Sequence, residues 1–234
     1  MDSESLLLKW LGGRLRPEAM TWLRERRQQL RAGFSENLFH TSFSQAVRHT
    51  GKFPLAATAP EQAEANSAQP GWDLTDWTLD QAARSVLLLN LPPGPQAIST
   101  ILSLHQTADL GEHLALIRAL VLLPDAKELM HVAREAIRSN TGDIFAAISQ
   151  RNPYPARYCD EIAWNQMVVK CLFVDVPLRS IQGFDTRLNA ELSRIVVSLA
   201  RERKAAGRAL SPEAWDCVAP FADAEAVQLL KPQH

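Results

Sequence analysis

The chain has 234 residues, with 25 Lys and Arg against 26 Asp and Glu and a formal net charge of −1. That balance gives no global field for nucleic acid or an anionic membrane, and the length buries a substantial core without disulfides or metal. The three cysteines, Cys159, Cys171 and Cys217, are odd in number, widely spaced and free of C-x-x-C, which points to a reducing compartment.

The N-terminus, Met1-Asp2-Ser3-Glu4, lacks the basic start of a secretory signal. A helix starts at Pro17 and ends at Gly33. It carries Trp22, Leu23 and Leu30, and an arginine stripe of Arg24, Arg27 and Arg31. With Trp10 and Trp22 that stripe is a candidate peripheral contact with anionic lipid. Glu18 and Glu25 dilute it, so a solvated helix face is the preferred reading. Ser35 caps a second helix bearing Leu38, Phe39, Phe43 and Val47, which Gly51 ends. Residues 56–73 are rich in Ala, Pro, Gln, Glu, Asn and Ser without an apolar period. They read as a flexible surface loop within a single domain.

Thr78 and Gln81 have capping-box spacing, and the helix they open stops at Leu91-Pro92-Pro93. Helices follow over 95–108, 112–123 and 125–140. The segments 81–93 and 113–125 each hold a Leu-rich helix stopped by proline, at a period that suits a stacked helical hairpin. The strongest apolar run, 114–123, contains Arg118 and is too short to cross a bilayer, so no transmembrane segment is expected and the chain reads as cytoplasmic. Thr141 caps a short helix with Ile144, Phe145 and Ile148. Pro155 starts a helix to about residue 174 that is apolar nearly all round, as a central, buried helix would be. Asp185 or Thr186 caps the next, and Ser211-Pro212-Glu213 opens another. The expected fold is all-α, a single-domain stack of roughly nine helices in a superhelical, solenoid-like arrangement.

The most informative stretch is Arg151-Asn152-Pro153-Tyr154-Pro155 running into Ala163-Trp164-Asn165-Gln166-Met167-Val168-Val169-Lys170. Two prolines, an aromatic and a Trp-Asn-Gln cluster opening an apolar helix exceed what a generic helical domain needs. Asn165 falls between Val168, Leu172 and Val169, so its amide needs partners: a ligand, or carbonyls of the Asn152–Pro155 loop. Lys170 is flanked by Phe173 and Val174. It is either a desolvated lysine or one whose stem carries the ammonium to water. Arg151, Arg187, Arg203 and Arg208 suit carboxylate or phosphate recognition, with Asp185, Glu191 and Glu202 available as ordinary ion-pair partners. The histidines include His40, His105, His113 and His131, in no dense ligand spacing, so no metal site is read. No P-loop, nucleophile elbow or dinucleotide fingerprint occurs. Neither catalytic residues nor a cofactor are assigned.

The segments Phe39-His40-Thr41-Ser42-Phe43, Ala82-Ala83-Arg84, Asn152-Pro153-Tyr154-Pro155-Ala156, Trp164-Asn165-Gln166-Met167, Asp185-Thr186-Arg187-Leu188-Asn189 and Glu202-Arg203 through Arg208 to Trp215 resemble the EboA family, encoded in bacterial ebo clusters linked to metabolite traffic. The likeness spans nearly the whole chain apart from the 56–71 stretch. It implies a non-enzymatic binding or adaptor protein moving a secondary metabolite from cytoplasm toward periplasm. The implied partners are a small hydrophobic or aromatic metabolite, or proteins of the same cluster. The alternatives are a pathway enzyme drawing on Lys170, Arg151, Asp185, Arg203 and His40, or an obligate scaffold subunit. The binding candidates are therefore Arg151, Asn152, Tyr154, Trp164, Asn165, Lys170, Asp185, Arg187, Arg203, Arg208 and His40.

Overall fold

The structure, a computed structural model, describes residues 1–231. It is all-α, with fourteen α-helices among the described residues rather than roughly nine. They are α1 (Ser3–Gly12), α2 (Pro17–Ala32), α3 (Glu36–Thr50), α4 (Ala59–Ala68), α5 (Leu79–Leu88), α6 (Pro95–Thr107), α7 (Leu110–Ala119), α8 (Met130–Arg138), α9 (Gly142–Ser149), α10 (Tyr154–Tyr158), α11 (Glu161–Phe173), α12 (Ala190–Ala205), α13 (Ala214–Val218) and α14 (Ala224–Leu230). Several of the additional helices are one to three turns long, too short for a clear apolar period. The chain divides into two compact units, Met1–Tyr154 and the residues from Pro155 onward.

In the first unit α5 is the hub. It packs against α1, α2, α3 and α7, and all ten of its residues are buried. The α5–α7 pairing joins the two Leu-rich segments that the sequence sets one hairpin period apart. Burial all round forces α5 to satisfy its polar groups internally. Asp80 and Arg84, 2% and 1% exposed, sit one turn apart and form an ion pair at 2.5 Å. Arg84 Nε donates to the Phe43 carbonyl at 2.9 Å, and the guanidinium lies 5.4 Å from the centre of the Phe43 ring. One buried cation thus ties α5 to α3. Thr78 donates its hydroxyl to Asp80 and its backbone N–H to Gln81, so the cap expected there forms.

The expected loop at 56–73 contains α4. Its start is a capping box: Glu61 accepts from the Thr58 backbone N–H at 2.8 Å, and Thr58 Oγ1 accepts from the Glu61 N–H. Only Ala65 in it is buried, which explains the missing apolar period. Polar contacts hold it to α1 and to the turn that follows α1 instead. Arg14 grips Glu61 with two bonds of 2.9 and 2.6 Å, and Glu64 accepts from Lys9 and from the Trp10 indole N–H. Beneath this lie Trp10, Trp72 and Trp77, with successive ring centres 5.4 and 5.7 Å apart.

The helix expected from Pro155 to about residue 174 is two helices, α10 and α11. Asp160 caps α11 by accepting from the Ala163 N–H at 2.9 Å. This helix is not apolar-buried all round: Ile162 is 71% and Phe173 60% exposed. Its buried side is Ala163, Trp164, Asn165, Met167, Val168, Cys171 and Leu172. The cap of α12 is Asn189, which accepts from the Leu192 N–H at 2.8 Å, rather than Asp185 or Thr186. All three cysteines are buried and none is in a disulfide. Burial pushes the Cys217 thiol up to about 12, so it packs as an inert apolar group.

Candidate functional site

The residues singled out in the sequence mostly hold the chain together. Asn152 is buried and donates to the Ala147 and Ile117 carbonyls, while its Oδ1 accepts from the Tyr154 N–H at 2.9 Å. Tyr154 is fully buried, with its hydroxyl on the Ala126 carbonyl at 2.7 Å. Arg151 has a positive φ of 49° and an exposed 2.5 Å ion pair with Asp76. Arg151, Asn152, Trp72, Trp77 and the half-buried Arg118 line a recess of about 10 Å³, with room for about one water.

Within the second unit, Asn165 pairs its amide reciprocally with Asn189, at 2.9 and 3.2 Å. Its partner is therefore the α12 cap, rather than carbonyls of the Asn152–Pro155 loop. The carbonyls of Pro155 and Ala156 accept from Arg187, at 2.8 and 3.3 Å. The same guanidinium stacks 4.6 Å from the centre of the buried Trp164 ring. Arg203 lies 4.8 Å from the centre of the Phe173 ring. Lys170 is half-buried, and desolvation lowers its pKa. Asp185 and Arg208 are exposed. In the first unit, His40 faces Glu36 at 3.5 Å across one turn of α3. Most of the candidates are thus used in internal contacts, and Arg151 and Asn152 line a common recess.

A larger cavity lies elsewhere in the first unit. A groove of about 650 Å³ is lined by Leu102, His105 and Gln106 of α6, His113 and Ile117 of α7, His131, Glu135, Ala136 and Arg138 of α8, then Ser139, and Ile144 of α9. The supporting helices are fixed by ordinary local chemistry. Pro95 opens α6, and Asp109 with Glu112 forms a capping box on α7. On α8, His131 and Glu135 are one turn apart and share a face.

Glu135 organises the polar wall. His105 Nε2 meets Oε2 at 2.7 Å, and His131 Nε2 meets Oε1 at 3.2 Å. The hydrogen bond from His105 holds the Glu135 carboxyl below its ordinary range. His113 Nε2 lies 2.8 Å from the His105 carbonyl oxygen. A carboxylate and a carbonyl only accept, so the imidazoles of His105 and His113 carry hydrogen on Nε2. In the neutral rings Nδ1 is then an acceptor. The His105 Nδ1 is buried without a partner, and the rings of His113 and His131 line the groove beside it. The rings of His105 and His113 meet edge to face, with centres 5.0 Å apart.

No group of three or more His, Cys, Asp or Glu among the described residues is placed to hold a metal ion. No helix among them is long and apolar enough to cross a membrane. The chain therefore offers a half-open groove with aromatic, apolar and hydrogen-bonding walls. Sequence reading missed it because its residues come from four helices. The one local signal was the His131–Glu135 spacing.

No curated protein and no solved structure matches this chain significantly. A family model described as metabolite traffic protein EboA matches residues 3–219, nearly the whole length, and by that match the chain belongs to the EboA family.

Proposed function

We propose that the protein binds a small hydrophobic or aromatic metabolite and passes it on, without converting it, in secondary-metabolite traffic from the cytoplasm toward the periplasm. The supporting observation is the groove framed by His105, His113, His131 and Glu135. Its volume falls in the range of about 300–1,000 Å³ common for small-ligand sites. Leu102, Ile117 and Ile144 supply apolar wall, and the imidazole rings supply flat faces. The imidazoles of His113 and His131 and the Arg138 guanidinium supply polar groups along the same wall for a ligand hydroxyl, carbonyl or N–H. None of Lys170, Arg151, Asp185, Arg203 and His40, the candidates of an enzyme reading, lines the groove. The family's description as a traffic protein agrees with holding rather than converting a ligand.

Metabolite fractions from the native host test this by thermal unfolding. At a ligand concentration of 100 Kd, binding adds about 2.7 kcal/mol, which is about 5–10 °C in Tm for a chain of this size. At least one fraction should raise the wild-type Tm by that order. Leu102→Trp fills a half-buried position of the wall and should abolish the shift while keeping a normal Tm without ligand. If no fraction shifts the wild type, or if Leu102→Trp responds equally, the groove is not the binding site.

A further inference from the structure

The first 33 residues carry seven Lys and Arg against four Asp and Glu, a local surplus in a chain whose net charge is −1. Most of it gathers on one groove of about 620 Å³, lined by Lys9 and Leu8 of α1, by Met20, Arg24, Arg27 and Arg31 of α2, and by Met1. Its acidic neighbours are Glu4 and Glu64, which pair with Arg27, Arg31 and Lys9 from outside its lining and leave Arg24 to it. At about 100° per residue, Arg24, Arg27 and Arg31 share one face of α2, while Glu18 and Glu25 sit roughly 100° away from Arg24.

The internal pairs leave positive charge over. Glu4 alone serves both Arg27 and Arg31, and Asn90 donates to the same carboxylate while accepting from Arg31. Lys9 pairs with Glu64. Arg24 is exposed and has no acidic partner among the described residues. The apolar component differs from the sequence expectation. Trp10 and Trp22 are buried and cannot meet a membrane, whereas Met1 is 78% exposed at the groove's edge. A cationic strip beside a small apolar tip complements a surface with negative headgroups above acyl chains.

We propose that the α1–α2 groove binds the anionic headgroups of a lipid bilayer. This is independent of the histidine-lined groove. Each Lys or Arg near such a surface contributes roughly fivefold in partitioning, and the attraction is screened by salt.

Co-sedimentation with phosphatidylcholine vesicles, with and without an equal part of phosphatidylglycerol, is the test. The intact protein should sediment with the phosphatidylglycerol vesicles and be released as salt rises. Arg24→Glu changes an unpaired, exposed side chain and should lower partitioning on the order of tenfold. Arg48→Glu makes the same charge change on α3, away from the groove, and should have little effect. Equal losses in the two variants would mean only a diffuse charge effect and would overturn the proposal. So would equal binding to the two kinds of vesicle, or inorganic phosphate binding the protein as strongly as the vesicles do. Unchanged helical circular dichroism in both variants excludes misfolding as the cause.

Discussion

Asp80 and Arg84 concentrate the electrostatic cost of the fold at one place. Neither charge reaches water, so each depends on the other and on the Phe43 carbonyl. Breaking such a pair leaves an uncompensated buried ion, at a cost of about 3–5 kcal/mol. Asp80→Ala and Arg84→Ala should each lower stability by that order in urea unfolding, with losses well short of additive when combined. Fully additive losses would show that the two side chains act independently. The pair was visible in the sequence only as an acid and a base one turn apart, a spacing that usually marks a solvated helix face. Asn152, Tyr154 and Asn165 were recognised as unusual, but their partners lie 28 residues away for the Tyr154 hydroxyl and 24 for Asn165. Residue identity exposed the need for hydrogen bonds, and only the fold supplies their direction.

The same reasoning explains α4. A helix with one buried residue has no stripe to read, yet Thr58 and Glu61 carried its start signal in plain spacing. Glu61 couples this element to pH. Its hydrogen bonds from Arg14 lower its pKa from the ordinary 4.5 to about 2. A depressed carboxylate stabilises the folded state fully above its unfolded value, and that contribution fades as pH falls from about 4.5 through about 2. Wild type should therefore lose its advantage over Glu61→Gln across that window, measured as Tm against pH, and a constant difference would refute the coupling. For α11 the error ran the other way, because apolar composition suggested full burial while Ile162 and Phe173 face outward. The helix buried on every side is α5, whose Asp, Gln, Arg and Ser disguise it. The turn before α12 depends on Gly183, at φ +74°, where a Cβ would lie 2.8 Å from that of Ala156. Gly183→Ala should cost about 2–4 kcal/mol, and a neutral substitution would show that the turn relaxes freely.

At the scale of the molecule, helical class was legible because the periodic segments are long and proline and glycine mark their ends. Family membership was legible too, since the dense motifs coincide with packed interiors such as Asn152–Tyr154 and Trp164–Asn165. That coincidence also explains why those motifs did not reveal a pocket. The groove is built from His105, His113 and His131, which no short spacing connects, and it exists only once α6, α7, α8 and α9 are assembled. Its volume of about 650 Å³ and its imidazole, carboxylate and apolar walls suit it to hold a small ligand. Native mass spectrometry of the protein isolated gently from its own host, before and after denaturation, tests whether the groove holds a ligand. The expected result is a complex heavier than the chain by one small molecule, released on denaturation and absent from Leu102→Trp. A wild-type chain of bare mass under native conditions, or an adduct equally abundant in Leu102→Trp, would contradict it.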